Sequence, residues 1–479
     1  MHPTELHGHA ASGATALTEA FEALRAGYAR DRMPDRAWRL DKLAALEQLL
    51  RNNVDLLADA ISRDFGNRSR HETRLLEIFP AIEGIRYARR NLRRWMRPER
   101  RHVSLWFRPG RAQVLYQPLG VVGIIVPWNY PVLLGLGPMT AALAAGNRVM
   151  LKMSEHAPET AAVFARLIAQ RFAPDEVAVV TGDADVGKAF SGLPFDHLLF
   201  TGSTQIGRLV MTEAAAHLTP VTLELGGKSP AIVAPGYPLA HAAERIMTGK
   251  CLNAGQTCIA PDYALVPEHD VEAFLAAAQD FVRAAYPDIR TTPDFSTIVN
   301  ERQFRRLVGY CEEAAHKGAR IVPLAGDGAH WNLATRRFPP VAILGGDDRM
   351  HVMTQEIFGP ILPIVPYRTL EEAIAYVNAR PRPLALYYFD RDAERVDRVL
   401  RETVAGGVTV NDTILHIAQD DLPFGGVGPS GMGAYHGREG FETFSHKKAV
   451  FRQSRLNGMR LFRPPYGKVF ETMVRLLVR

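Results

Sequence analysis

Three cysteines occur in the 479 residues, Cys251, Cys258 and Cys311, and they differ in what a thiol could do at each place. Cys251 follows Met247 by four residues on the apolar stripe of the helical "HAAERIMTGKCLNAG", and Cys311 sits in the helical "FRRLVGYCEEAAHKG"; both read as core residues. Cys258, in "NAGQTCIAPD", comes after that helix has ended at Asn253-Ala254-Gly255. A thiol in a turn can face a cleft and act as a nucleophile. Free cysteine is also among the most buried residue types, so this stretch alone leaves both readings open.

A nucleophile needs a base and a donor for the charge that develops. Asn129, at a strand end in "VPWNYP", could donate its carboxamide to an oxyanion, although Asn before an aromatic and a proline is also an ordinary turn. "FTGSTQIG" follows an apolar strand and opens a helix, with Gly202, Thr204 and Gly207 at the spacing of a dinucleotide fingerprint. Thr204 replaces the glycine that normally lets a pyrophosphate touch the backbone, so a dinucleotide here would lie differently from the usual mode. Two acids then compete for its adenosine ribose: Glu224 in "LELGG", about 20 residues on, and Glu155 in "VMLKMSE", at a strand end beside Lys152. Spacing does not decide between them. "QEIFGP" and "PFGGVGPSGMG" are Gly/Pro loops able to line a pocket, and no metal-ligand spacing such as H-E-x-x-H or C-x-x-C occurs.

The elements that must position these residues follow from hydrophobic period. Residues 15 to 63 and 71 to 98 carry apolar residues at helical spacing and form an N-terminal helical layer. "HVSLWFRPGRAQVLYQPLG" alternates on both sides of Pro109-Gly110 and predicts a β-hairpin with edges suited to another subunit. From about residue 119, short apolar runs alternate with helices: "GVVGIIVP", "RVMLKMS", "EVAVVTG" and "HLLFTGS" predict parallel strands. After "PVTLELGGKSPAIVAP" a second set begins with "YALVP", "RIVPLAG" and "FGPILPIVPYR". The predicted fold is α/β: a Rossmann-like, doubly wound parallel-sheet cofactor domain (1–100 and 119–225), a second α/β catalytic domain (226–424) and a small β oligomerisation element (101–118 and 425–455). The tail 456–479 is apolar at Val469, Met473 and Leu476 or Leu477 and predicts an amphipathic helix, docking on a partner subunit or over the substrate mouth, with membrane contact as the second reading.

Composition narrows the class. The formal net charge of +6 comes from dispersed arginine, densest in "RRNLRRWMRPERR", which reads as a solvated, partly paired helix face. No nucleic-acid motif accompanies it, so no nucleic-acid partner is expected. Three cysteines argue against a disulfide framework, "MHPTELHGHAASGAT" does not resemble a leader, and no run reaches roughly 18 apolar residues. The expectation is a cytoplasmic protein.

Taken in order, "PWNYP", "LKMSE", "FTGSTQIG", "LELGGKSP", "NAGQTCIAP", "QEIFGP" and "PFGGVGPSGMG" resemble the aldehyde dehydrogenase superfamily from about residue 30 to 455. "VNDTILHIAQDDLPFGGVGPSGMGAYHGREGFETFSHKKAV" resembles its class 3 and fatty-aldehyde branch and, with "RLLEIFPAIEGIRYARRNLRRWM" and "RPPYG", the bacterial coniferyl aldehyde dehydrogenases. The resemblance makes Cys258 the nucleophile. Asn129 and the Cys258 N–H would stabilise a thiohemiacetal oxyanion, hydride passes to a nicotinamide, and Glu224 activates the water that hydrolyses the thioester. It assigns the ribose to Lys152 and Glu155, freeing Glu224. It also implies that Ser203 contacts the pyrophosphate and that Glu356 and Phe358 position the nicotinamide ribose and ring, with Gly202, Gly207 and Trp128 as further cofactor-binding residues. Met153 and Ser154 stand where the family often has Pro and a small residue.

The activity this resemblance implies is an NAD-dependent, non-acylating oxidation of a small-molecule aldehyde to a carboxylic acid, with NADP possible, no metal, and coniferyl aldehyde to ferulate as the reaction. The runner-up substrate is a medium or long-chain aliphatic aldehyde. A CoA-acylating enzyme and a catalytically silent cofactor-binding protein are the further alternatives. A homodimer is expected.

Overall fold

The computed structural model describes residues 14–326 and 330–478 and is built on three sheets. The N-terminal stretch tested for a leader lies outside the described residues. In the first sheet Val121–Ile125, Arg148–Lys152, Val177–Val180, His197–Thr201 and Val221–Glu224 run parallel. The chain builds outward from Val121–Ile125 through Arg148–Lys152 to Val177–Val180, then returns to the other side of Val121–Ile125 with His197–Thr201. That reversal is where a doubly wound sheet leaves a crevice beyond its strand carboxyl ends.

The strands read as continuous apolar runs because helices cover both faces; Arg148–Lys152 and His197–Thr201 are buried throughout. Helix Pro131–Ala145 is apolar all round and almost entirely buried. Helix Ala184–Ser191, capped by Asp183, was not foreseen: eight residues give too few turns for a period to show.

The second sheet has seven strands, in the order 320–323, 341–344, 361–367, 263–267, 230–233, 385–389, 407–410, parallel except for the first. Only the segment 225–229 joins the first sheet to strand Pro230–Val233 of the second. Residues in and beside that segment therefore face both.

The third sheet is antiparallel and comprises Glu99–Arg101, Arg111–Pro118 and Ser445–Arg452. It corrects the predicted hairpin. Glu99 pairs with Val114 and Arg101 with Ala112, so the first arm lies earlier, and 102–110 is a loop with a helical turn at Leu105–Phe107. Leu105, Trp106 and Phe107 are all exposed. An alternating pattern with no face to bury does not make a strand.

The segment 425–455, expected to belong wholly to the oligomerisation element, is divided. Gly431–Met432 pairs with Val221–Glu224, helix Gly437–Thr443 packs on Pro131–Ala145 and Phe79–Trp95, and only Ser445–Arg452 joins the third sheet. The tail forms the expected helix, Lys468–Leu477, with Val469 and Leu476 exposed. In the basic cluster Arg89 pairs with Glu47, as does Arg86 before it, in keeping with a partly paired helix face.

Candidate active site

Cys258 is delivered by a sharp left-handed turn. Helix Leu239–Cys251 ends, and Asn253, Ala254 and Gly255 follow with φ of 51°, 51° and 73°. A Cβ on Gly255 would stand 2.4 Å from the Gly359 carbonyl oxygen, so glycine is required by both conformation and space. Gln256 clamps the turn: its Nε2 donates to the carbonyls of Asn253 (2.9 Å) and Thr297 (3.0 Å), and its Oε1 accepts from Val299 N–H at 2.9 Å. Beyond the cysteine, the Tyr387 hydroxyl donates to the Ile259 carbonyl. The thiol is thus fixed on both sides, while Cys251 and Cys311 are buried in their helices as expected.

Asn129 is buried beside this turn, and its Nδ2 donates to the Gln256 carbonyl at 3.2 Å. Only one of its two amide hydrogens is needed for that bond, leaving the other for a ligand. Its backbone is held as well: Asn253 Nδ2 donates to the Asn129 carbonyl at 3.2 Å, and Arg68 donates to the same oxygen at 2.7 Å. Arg68 forms a fully buried ion pair with Glu77 at 3.0 Å, and Glu77 accepts from Val132 and Leu133 N–H at the start of the next helix. Glu77 is presented by a π-helical turn, Arg74–Ile78.

Two carboxyls approach the thiol. Glu224 is 2% exposed, and neither of its oxygens has a hydrogen-bond partner among the described residues. Burial pushes it well above the usual carboxylate range. Glu356 is pushed up to about 8, by burial first and then by the charge on Asp262. Its carboxylate comes so close to Gly226 that a Cβ there would stand 2.3 Å from both oxygens. Burial raises the Cys258 thiol to about 12, with the charges of Glu356 and Glu224 adding to the rise and the N–H groups of Cys258 and Ile259 opposing it. Burial thus disfavours charge on the thiol and on both carboxyls, so protons passed among them leave no isolated buried charge.

At the switch point a cleft of about 650 Å³ is lined by Trp128, Lys152, Glu155, Gly202 and Ser203. Lys152 is nearly buried and reaches Glu155 at 3.1 Å. Burial alone would raise Glu155, but its own backbone N–H and the Lys152 charge hold it below the ordinary value, so it is an anion at the cleft wall. Ser203 caps helix Thr204–Ala215, accepting from Ile206 N–H at 3.4 Å. Cleft, helix N-terminus, cation and anion fit a dinucleotide. Gly207 does not line the cleft. A Cβ there would be 2.7 Å from Leu225, so it serves close helix-to-strand packing, the third role in the fingerprint. Phe358, at φ 49°, packs edge-on against Trp128 at 5.4 Å and links the cleft to the loop of Glu356.

Sequence reading missed several supports. Ile206 and Leu209 line the cleft with their side chains 46% and 60% exposed, an apolar wall suited to a flat heterocycle. Lys228 donates to Asp262 and to the carbonyls of Val352 (2.8 Å) and Gln355 (3.1 Å), holding the "QEIFGP" loop. Lys228 lies inside a quoted motif, but its partners are more than 30 residues away. Among the described residues no group of three or more His, Cys, Asp or Glu is arranged to hold a metal ion.

The model described as the aldehyde dehydrogenase family matches residues 4–450. A Pseudomonas aeruginosa protein named "probable coniferyl aldehyde dehydrogenase" is 56% identical over 464 residues, 97% of this chain and 96% of that protein. Among solved structures, the substrate-bound AldH of Staphylococcus aureus aligns with a TM-score of 0.90 at 36% identity, covering 96% of this chain and 99% of that one. A Mycobacterium tuberculosis aldehyde dehydrogenase complexed with NAD+ aligns with a TM-score of 0.82 at 30% identity, covering 92% and 90%.

Proposed function

The chain belongs to the aldehyde dehydrogenase family, and from that premise we propose which residues carry the NAD-dependent oxidation of an aldehyde to a carboxylic acid, and on which aldehyde. The observation that carries the reading is the left-handed turn at 253–255, which brings Cys258 beside the Asn129 amide and within the influence of Glu224 and Glu356.

Cys258 Sγ attacks the aldehyde carbonyl carbon, and as the C–S bond forms its proton leaves to ionised Glu224, which returns it to solvent before the second half-reaction. The free Asn129 amide hydrogen and the Cys258 N–H receive the charge on oxygen, donors fixed in advance and worth a few kcal/mol each. NAD held in the cleft would supply the hydride acceptor that turns the thiohemiacetal into the thioester, the one piece of chemistry no side chain here supplies. Glu224, its oxygens uncommitted and again ionised, then takes a proton from water as that water attacks the thioester carbonyl. The C–S bond breaks, the departing Cys258 sulfur takes the proton held by Glu224, and the acid is released.

Lys152 and Glu155 hold the adenosine ribose, Gly202 and Ser203 the pyrophosphate, and Trp128, Glu356 and Phe358 the nicotinamide side. The Glu155 anion disfavours a 2′-phosphate, which makes NAD the preferred cofactor over NADP.

For the substrate we infer coniferyl aldehyde, oxidised to ferulate; the support is the name and 56% identity of the Pseudomonas aeruginosa relative. Turnover of coniferyl aldehyde, benzaldehyde and a chain-length series of alkanals tests this. Coniferyl aldehyde should have the highest kcat/KM, and a maximum at a medium or long alkanal would overturn it.

We also infer a homodimer. Ser445–Arg452 is the edge of its sheet, and an unpaired edge invites a strand from a second copy. Trp106, Phe107, Met459, Phe462 and Leu477 line an apolar groove of about 280 Å³ between the hairpin loop and the tail, a place for the same partner. Sedimentation showing a fully active monomer would contradict this. No helix among the described residues is long and apolar enough to cross a membrane. A reducing cytoplasm suits a site built on a free thiol.

A further inference from the structure

Beside the reacting groups lies a wall of rings that the oxidation itself does not use. His436 stacks on Phe424 with centroids 5.1 Å apart and planes 27° off parallel, and His416 stacks with Phe424 at 6.1 Å and 26°. Tyr435 meets His436 edge-on at 4.8 Å. The wall is anchored at the catalytic end. Tyr435 follows the strand whose Gly431 pairs with Glu224, and a Cβ on Gly137, in the helix after Asn129, would stand 3.1 Å from its ring. The Tyr435 phenol feels the charges of Glu224 and Cys258. Outward, a Cβ on Gly437 would lie 3.4 Å from the Tyr87 ring, whose hydroxyl donates to the exposed Asp421. His436 thus lies between Tyr435, whose phenol feels the reacting groups, and Gly437, which approaches Tyr87.

Among the described residues, no contact calls for a histidine at this position. Helix Gly437–Thr443 begins directly after it, yet the imidazole does not cap it. Its Nδ1 is buried and has no hydrogen-bond partner among the described residues. Stacking on Phe424 would be served as well by a phenyl ring. Burial, and then His416, lower it to about 4, so at neutral pH the ring is uncharged and keeps one nitrogen able to accept.

We propose that His436 determines specificity by reading a polar substituent on the ring of an aromatic aldehyde, its unpartnered Nδ1 offered to a phenolic hydroxyl. This rests on the aromatic-substrate reading above and adds the residue that enforces it. A hydroxylated ring satisfies the buried nitrogen, while an unsubstituted ring or an alkyl chain leaves it orphaned, and a site built to hydrogen-bond a hydroxyl discriminates against analogues lacking one.

The test is kcat/KM on coniferyl aldehyde, cinnamaldehyde and octanal for the wild type and for His436→Phe and His436→Gln. Cinnamaldehyde keeps the enal and the ring but lacks both ring oxygens. In the wild type, coniferyl aldehyde should exceed cinnamaldehyde by about tenfold, carried mainly in KM. His436→Phe should bring the ratio to near one, and His436→Gln, which keeps a donor and an acceptor, should retain part of it. If the phenylalanine variant does not fold, His436→Leu supplies the same comparison. A wild-type ratio near one, or a ratio unchanged in His436→Phe, overturns this inference alone. Octanal surpassing both enals in the wild type overturns the substrate reading and this inference with it.

Discussion

Arg68 holds Asn129 by its backbone, donating to the Asn129 carbonyl at 2.7 Å while forming its buried ion pair with Glu77. A residue of the helical layer thereby fixes the carboxamide proposed to receive the oxyanion. Arg68→Met should leave Glu77 buried without its cation and Asn129 without its tether. We expect a loss of roughly 3 kcal/mol of stability, moderated by protonation of Glu77, read as a lower melting temperature. A fall in kcat of about tenfold should accompany it, from a displaced donor. Unchanged kcat in a folded variant would show that the tether does not serve the site.

The resting thiol should behave as an undissociated acid. With Cys258 raised to about 12 and Glu356 to about 8, alkylation of Cys258 by iodoacetamide without NAD should quicken about tenfold per pH unit up to about pH 8. Glu356 is uncharged below its raised pKa and ionises above it, and its charge is part of what raises the thiol to about 12. The slope should therefore flatten above pH 8 in the wild type and stay straight in Glu356→Gln. A plateau below pH 8 in the wild type would mean that the thiolate is already formed.

Much of this site was visible as local pattern. The apolar runs gave the strands because both sheet faces are covered, and the break at Asn253-Ala254-Gly255 marked Cys258 because a helix stripe ends there. What escaped notice is held together by contacts between distant residues. Arg68 and Glu77 sit in a charged helical stretch that looks like a solvated face, and nothing periodic announces that both are buried against Asn129. The approach of Glu356 to Gly226 joins positions 130 apart, and the Gln256 clamp closes on Thr297 and Val299. Periodicity reports the face of an element, and such pairings have no period. The hairpin failed for the converse reason: its alternation in "HVSLWF" belongs to residues that stay exposed.

Cofactor choice should turn on one carboxylate. Glu155→Gln removes the anion from the cleft wall while keeping a polar group near Lys152, and the NADP-to-NAD ratio of kcat/KM should rise about five- to tenfold, chiefly through the KM for NADP. Initial rates with each cofactor at saturating aldehyde measure it. An unchanged ratio would place the 2′-hydroxyl elsewhere.

The central claim is that Cys258 alone among the cysteines carries the acyl group. NADH formation from aldehyde, followed by absorbance in Cys258→Ala and Cys251→Ala, tests it most directly. Cys251 is fully buried on its helix, so its alanine variant should lose about 1 kcal/mol of packing and keep kcat within about twofold. Cys258→Ala should fold normally and form NADH only at background; full NADH production by Cys258→Ala would contradict the account.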